Sequence, residues 1–242
     1  MKLHTLTIII PVYNEQRFIK KILHKVLYAD SCGLKKEIII VNDGSTDKTA
    51  RILKKWPTGV KPKYRYSLNI LSHSKNQGKG AAVKTALSSA KGDLIIIQDS
   101  DLEYNPKDYP ALIKPFLSSN ISAVYGSRTK GIKKYNNKYS NPFYYLGGLI
   151  LTWYMNRLYS QNLSDQPTGY KILSKNTLSI LSNIAENDFT YEIALTAMLS
   201  KNNIKIVEVP ITYQPRTKKE GKKINLKDFF KSLYIGLKYK MR

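Results

Sequence analysis

Cysteine is nearly missing from this 242-residue chain: Cys32 stands alone, so no internal disulfide can form. A chain with no disulfide framework fits a reducing compartment. Long apolar runs are missing too. None reaches the roughly 18 residues that span a bilayer, and no transmembrane helix is expected. The opening Met1-Lys2-Leu3-His4-Thr5 runs straight into a strand-like segment and lacks the length and cleavage site of a signal peptide. The three histidines, His4, His24 and His73, share no metal-like spacing and read as structural. Acidic residues are scarce, 17 Asp and Glu against 40 Lys and Arg, which gives a formal charge of +23.

A charge of that size admits nucleic acid, anionic lipid or a phosphorylated substrate as partner. Much of it is lysine scattered along the chain, the pattern of a solvated surface. The stretch 216–242 is denser, with ten Lys and Arg against only Glu220 and Asp228. No nucleic-acid-binding module is recognisable, and nucleic acid is not expected as a partner. The 42% apolar content suits one large globular domain.

Apolar runs bounded by turn residues predict strands over 5–11, 37–41, 68–71, 93–97, 121–125 and 204–209. Helices are read over 15–28, with Asn14 as N-cap, and over 46–56, 77–90, 106–117, 173–181 and 191–199, while 141–159 is apolar and aromatic, broken by Gly147-Gly148. A last helix places Leu226, Phe229, Phe230, Leu233 and Leu237 on one face and Lys227, Lys231 and Lys238 on another. Strands alternating with helices imply an α/β fold, with a mostly parallel central sheet covered on both faces. Ligands of such sheets sit beyond the C-terminal strand ends. Asn14, Asp43, Asn76, Asp99 and Ser127 all follow strands.

The most informative stretch is Gln98-Asp99-Ser100-Asp101-Leu102-Glu103, directly after the apolar Leu94-Ile95-Ile96-Ile97. In extended chain Asp99 and Asp101 point to one side. Two hard oxygen ligands at a strand end suit a divalent cation that also holds a diphosphate. The bland alternative is a plain turn or helix cap.

These residues belong to a wider pattern. Ile10-Pro11-Val12-Tyr13-Asn14-Glu15, Val41-Asn42-Asp43-Gly44-Ser45-Thr46-Asp47, Asn76-Gln77-Gly78-Lys79-Gly80 and Gln98-Asp99-Ser100-Asp101 resemble, in order, four motifs of the family 2 inverting glycosyltransferases. The resemblance implies the GT-A fold, a nucleoside-diphosphate sugar as donor and a Mg or Mn ion. Asp101 would be the firmest metal ligand, with Asp99 and Glu103 beside it. Pro11, Tyr13, Glu15, Asp43, Lys79, Gln98, Asp99 and Ser100 would line the nucleotide-sugar site. The plainer reading of Asp43 is an Asx-turn before Gly44, and Lys79 reads equally as a helix start. Glu103 stands where the family often has Gln or Ser.

The second half resembles a subgroup, the polyprenyl-phosphate sugar synthases, which includes the dolichyl-phosphate mannose and glucose synthases. The resemblance rests on Gly126-Ser127-Arg128, Asp165-Gln166-Pro167-Thr168-Gly169-Tyr170-Lys171, Glu208-Val209-Pro210-Ile211, and Arg216 followed by Glu220-Gly221-Lys222-Lys223. A lipid phosphate acceptor, already anionic, needs cations rather than a strong base. Arg128 and Arg216 are the candidates, since planar guanidinium pairs with phosphate oxygens, and Lys222 and Lys223 would assist unless they are only surface charge. The resemblance marks Asp165 and Glu192 as positions used near the acceptor or in closing the site. Either carboxylate can hold an arginine, and Glu192 can instead serve as base toward a sugar hydroxyl. Asp99, Asp101, Arg128, Arg216 and Glu192 are thus the candidate catalytic residues.

The expected organisation is a transferase domain over 1–215 and a basic loop with an amphipathic helix over 216–242. That helix, and the aromatic segment 143–159 with Tyr144, Tyr145, Trp153 and Tyr154, can rest on an anionic membrane surface or pack on the core. The enzyme is expected on the cytoplasmic face of a membrane, without crossing it. The leading expectation is transfer of a hexose from a GDP- or UDP-sugar to polyprenyl phosphate. The alternatives are transfer to a sugar hydroxyl of a cell-surface glycan and, remotely, a basic nucleic-acid-binding protein.

Overall fold

The computed structural model describes residues 3–56, 65–139, 141–216 and 226–241. Its centre is a seven-stranded sheet: β1 (Thr5–Val12), β2 (Lys35–Asp43), β3 (Tyr66–His73), β4 (Leu94–Ile97), β5 (Ala123–Ser127), β6 (Lys171–Ser174) and β7 (Ile206–Pro210). The spatial order is β3-β2-β1-β4-β6-β5-β7. Every pairing is parallel except those of β6, which runs antiparallel between β4 and β5.

The continuous isoleucine runs follow from burial on both sides, because alternate side chains enter opposite layers. Ile8, Ile10, Ile38, Ile40, Leu94 and Ile96 face α1 (Ile19–Tyr28), α2 (Thr49–Lys54) and α4 (Tyr109–Ser118). Ile9, Ile39, Val41, Ile95 and Ile97 face α3 (Lys79–Leu87), α6 (Pro142–Tyr159), α8 (Tyr191–Lys201) and α9 (Leu226–Met241). Two further helices, α5 (Arg128–Tyr135) and α7 (Leu178–Ser182), follow β5 and β6.

Three elements depart from the sequence expectations. The helix expected from residue 15 begins only at Ile19. Asn14 is left-handed, φ 53°, and is no N-cap: its side chain accepts from Thr46 N at 2.8 Å, tying two loops together. The helix expected over 173–181 starts late, because Leu173 and Ser174 lie inside β6; a 3-10 turn at Lys175–Thr177 leads into α7. Four residues are too few to show a period. Helix α5 was not expected, since Arg-Thr-Lys-Gly-Ile-Lys-Lys-Tyr carries no apolar stripe. Ser127 starts it by accepting from Lys130 N.

Lys36 is buried at the foot of β2. Its Nζ donates to the carbonyls of Val26, Leu27 and Ala29 at 2.9, 2.8 and 2.5 Å, closing the C-terminus of α1. Burial lowers its ammonium to a pKa of about 8. Lys36→Met keeps the stem but leaves those carbonyls without a donor. The variant is expected to lose about 1–3 kcal/mol, read as a lower urea midpoint at unchanged slope.

Helix α9 lies on α6 and α8, burying Ile235, Gly236 and Tyr239. Tyr159 OH donates to Gly236 O at 2.7 Å, and Tyr154 OH to Leu233 O at 2.9 Å. Glu186 holds the same helix through Lys238 Nζ, 3.0 Å away, and the Tyr239 hydroxyl. The backbone around Glu186 serves α3: Asn187 O accepts from Ala81 N at 3.0 Å, and Ile184 O from Lys84 Nζ at 3.2 Å. The expected single apolar face of α9 is in fact divided. Phe229 and Leu233 pack inward, while Leu226, Phe230, Tyr234 and Leu237 are exposed, as are Phe143, Leu146, Ile150 and Trp153 of α6. Among the described residues no helix is long and apolar enough to cross a membrane.

Candidate functional site

A cleft of about 980 Å³ opens beyond the C-terminal ends of β1, β2 and β4. Its floor is polar: Pro11, Tyr13, Glu15, Asp43, Lys79, Asp99, Ser100, Asp101, Glu103, Arg128, Glu192 and Arg216 all line it. Toward α6 and α9 the walls turn apolar, with Phe143, Leu151, Phe189, Ile193, Leu226 and Phe229.

The β4 turn brings the acidic group together. Ser100 Oγ donates to Pro11 O at 3.1 Å, and Asp101 Oδ1 accepts from Glu103 N at 3.0 Å. Between these two acids Leu102 is left-handed, φ 67°. That conformation costs a non-glycine residue about 1–2 kcal/mol and is held by the bonds around it. Burial, then the carboxylates of Asp99 and Glu103, push Asp101 up to about 7; Arg216 offsets part of the shift.

Arg216 reaches this group from the far side. Its Nη1 lies 3.2 and 3.3 Å from the two oxygens of Glu15, its Nη2 lies 3.0 Å from Asp101 Oδ2, and its backbone N donates to Glu103 Oε1 at 2.8 Å. Glu103 also accepts from Tyr213 OH at 2.8 Å. Both Glu103 oxygens therefore organise the 213–216 segment, which distinguishes Glu103 from the other two acids. Among the described residues no three acidic, histidine or cysteine side chains form a ready metal cage. Asp99 and Asp101 fit a hard cation of the kind held by one or two carboxylates and completed by ligand oxygens. The raised pKa of Asp101 marks a place short of positive charge.

A second network runs beneath. Lys79 Nζ bridges Asp99 Oδ1 at 2.6 Å and Glu192 Oε1 at 2.9 Å, and Glu192 Oε2 meets the buried Lys171 Nζ at 2.7 Å. Burial opposes the charge on Glu192, but Lys171 and Lys79 outweigh it and hold the carboxyl below its ordinary range. Burial likewise opposes the Lys79 ammonium, and Asp99 and Glu192 more than compensate. A carboxylate held this way by two ammonium groups is a poor proton acceptor.

Arg128 starts α5 at the junction of polar floor and apolar wall. Asp165 grips it twice, Nε to Oδ2 at 2.8 Å and Nη2 to Oδ1 at 2.7 Å, and also accepts from its backbone N. The guanidinium sits 5.2 Å from the Tyr213 ring centroid. Behind it Glu208 accepts from Asp165 N at 3.0 Å and from Ser164 N, so Asp165 is itself held. From sequence Glu208 carries no role beyond its place in the motif Glu208-Val209-Pro210-Ile211, and Tyr213 is not singled out.

Other expected residues take supporting places. Gln98 is fully buried and does not line the cleft, contrary to its expected place in the nucleotide-sugar site. Its Oε1 accepts from Tyr109 and Tyr170 hydroxyls at 2.8 and 2.7 Å, a pillar under Asp99. Asp43 lines the cleft, but its carboxylate takes His73 Nδ1, Asn76 Nδ2, Gln77 N and Gly78 N, and so fixes the loop before α3. Ser127 is buried against Ser164, and of the five strand-end residues Asp43, Asn76 and Asp99 reach the cleft. Lys222 and Lys223 lie outside the described residues.

Gly169 supplies a sharp test. A Cβ there would lie 2.5 Å from Asp99 Oδ2 and 2.8 Å from Tyr104 Cε2. Gly169→Ala must displace Asp99 and should lower kcat about 100-fold, since ~1 Å of misplacement has that cost. The check is steady-state kinetics beside an unchanged circular dichroism spectrum.

The family model described as glycosyl transferase family 2 matches residues 7–181. The dolichol-phosphate mannosyltransferase of Pyrococcus furiosus is 26% identical over 219 residues, covering 89% of this chain and 58% of that protein. The chain thus spans little over half the length of that relative. The UDP-N-acetylglucosamine–dolichyl-phosphate N-acetylglucosaminyltransferase of Methanococcus voltae is 29% identical over 221 residues, covering 84% of this chain and 83% of that one. Among solved structures, glucosyl-3-phosphoglycerate synthase of Mycobacterium tuberculosis in complex with UDP superposes with a TM-score of 0.69 at 18% identity, covering 98% of this chain and 80% of that one. This likeness concerns the fold.

Proposed function

The chain belongs to glycosyl transferase family 2, and from that membership we propose that it moves a hexose from a GDP- or UDP-sugar to a polyprenyl phosphate, inverting the anomeric centre. The observation that carries the reading is the form of the cleft: a carboxylate floor at the strand ends, an apolar wall between α6 and α9, and Arg128 where they meet. Relatives named for dolichyl phosphate point the same way.

Tyr13 and Glu15 hold the nucleoside end, and Ser100 keeps the β4 turn against Pro11. A Mg or Mn ion at Asp99 and Asp101 would neutralise charge on the leaving diphosphate. Lys79 fixes Asp99 in position and keeps a cation close to the phosphates. The acceptor phosphate lies against Arg128, whose orientation is set in advance by Asp165 and Glu208, and its tail follows the apolar wall. The anionic acceptor attacks without surrendering a proton. That suits a site whose nearest unused acid, Glu192, is held ionised by two lysines and serves to position Lys79. The exposed apolar residues of α6 and α9, flanked by Lys227, Lys231 and Lys238, rest on an anionic membrane surface without crossing it. We place the enzyme on the cytoplasmic face, where nucleotide sugars are made.

The test is sugar transfer from a panel of radiolabelled GDP- and UDP-sugars into membranes containing polyprenyl phosphate, with and without Mn. Metal-dependent label in the lipid fraction is expected. Donor hydrolysis with no lipid product, and transfer to added saccharides instead, would replace the lipid acceptor with a glycan hydroxyl.

A further inference from the structure

We propose that Arg216 competes with a divalent cation for Asp101, so that the site takes up the ion weakly by itself and strongly together with a nucleoside diphosphate. The inference rests on the metal-dependent reading of this site and adds a coupling to it.

The guanidinium already stands where the acidic group needs positive charge. It reaches Glu15 with one nitrogen and Asp101 Oδ2, at 3.0 Å, with another, while its backbone N is fixed to Glu103. It is largely enclosed, with its side chain 12% exposed and its plane 5.7 Å from the Phe18 ring centroid. Two consequences follow from charge alone. A bare divalent ion approaching Asp101 meets a fixed monocation on the same carboxylate and must repel or displace it. A nucleoside diphosphate alters the balance, because its oxygens supply guanidinium with a planar, bidentate partner in exchange for the carboxylate it gives up. Ion and nucleotide then assist one another, although each interacts with different protein atoms. The coupling is reciprocal: the factor by which nucleotide strengthens ion binding equals that by which ion strengthens nucleotide binding.

Arg216 sits within the cleft that also contains Arg128. Once released from Asp101 the guanidinium can turn toward phosphate oxygens.

Mn binding to the full chain, followed by the electron paramagnetic resonance signal of free Mn, tests this without any turnover. Wild type, Arg216→Gln and Arg216→Lys are compared with no nucleotide and with UDP or GDP. Arg216→Gln should bind bare Mn about tenfold more tightly than wild type, the scale of one charge-assisted contact. The nucleotide-induced gain in Mn affinity should shrink by the same factor. Arg216→Lys retains the charge, should bind bare Mn near wild type but show a smaller nucleotide-induced gain for want of the planar fork, and controls for folding alongside a thermal melt. Adding Asp101→Asn to Arg216→Gln should abolish the gained binding. Equal or weaker Mn affinity in Arg216→Gln, or a gain that survives Asp101→Asn, overturns the proposal. If no form binds Mn even with nucleotide, the metal-dependent reading fails and the coupling fails with it; if wild type binds Mn with nucleotide but Arg216→Gln shows no gain, only the coupling fails.

Discussion

Asp101→Asn is expected to cut sugar transfer by about 1,000-fold while leaving the ligand-free protein more stable at pH 7.5 than the wild type. The first half follows from the position of Asp101. It lies in the turn after β4 with Asp99, where it would hold the divalent ion that neutralises the leaving diphosphate, and loss of such a stabilising charge has a cost of that order. The second half follows from the shift in its pKa. An unfolded aspartate titrates near 4, whereas burial and the neighbouring acids push Asp101 to about 7. Between these values the folded chain keeps a proton that the unfolded chain has released. Stability from this group therefore declines as pH rises from about 4 to 7 and stays at its lower level above that. Asparagine carries no such penalty. At pH 7.5 the variant should melt about 2–4 °C higher per kcal/mol relieved, and at pH 4 the two proteins should converge. Calorimetric scans across pH, without metal or nucleotide, check the sign. A wild type that melts higher than the variant at pH 7.5 would contradict the account.

The second large effect is expected at Arg128. Arg128→Lys should lower kcat/KM for a polyprenyl phosphate about 100-fold or more, while UDP or GDP still binds with wild-type affinity. Lysine keeps the charge but offers no planar fork. It cannot meet both oxygens of Asp165, now at 2.8 and 2.7 Å, and present a further edge to an acceptor phosphate. Asp165 is buried, so losing half its partner also lowers the melting temperature. Restoring stability with added salt or osmolyte should leave the acceptor defect in place. Acceptor titrations at saturating donor, paired with nucleotide binding by calorimetry, separate the two. An equal loss on both substrates would place Arg128 in general support of the cleft rather than at the acceptor.

The first half of the chain was the more legible half, for a physical reason. Strands buried on both faces announce themselves as runs such as Ile8-Ile9-Ile10 and Leu94-Ile95-Ile96-Ile97, and each is followed within a few residues by Asn or Asp. The residues after those runs are where a parallel sheet puts its ligands, so Asp99 and Asp101 could be placed before any coordinates. The second half hides its logic. Strand β6 is four residues long and antiparallel, and helix α5 depends on the Ser127 cap rather than on an apolar stripe. Glu192 shows the same limit at the site. Its partners, Lys79 and Lys171, lie far away along the chain, and only the fold reveals that both reach it. Gln98 was misplaced because its motif sits next to the cleft while its side chain turns back between two tyrosines.

The loop around Glu186 carries a consequence for how the chain comes together during synthesis. The start of α3, with Lys79, rests on the carbonyls of residues 184–187, made about a hundred positions later, and that loop is itself braced by Lys238 and Tyr239. A nascent chain that has emerged only through the β4 turn holds Asp99 but neither Glu192 nor the carbonyls that seat the first turn of α3. The first turn of α3 therefore reaches its final seat only once residues 184–187 and α9 have joined the fold.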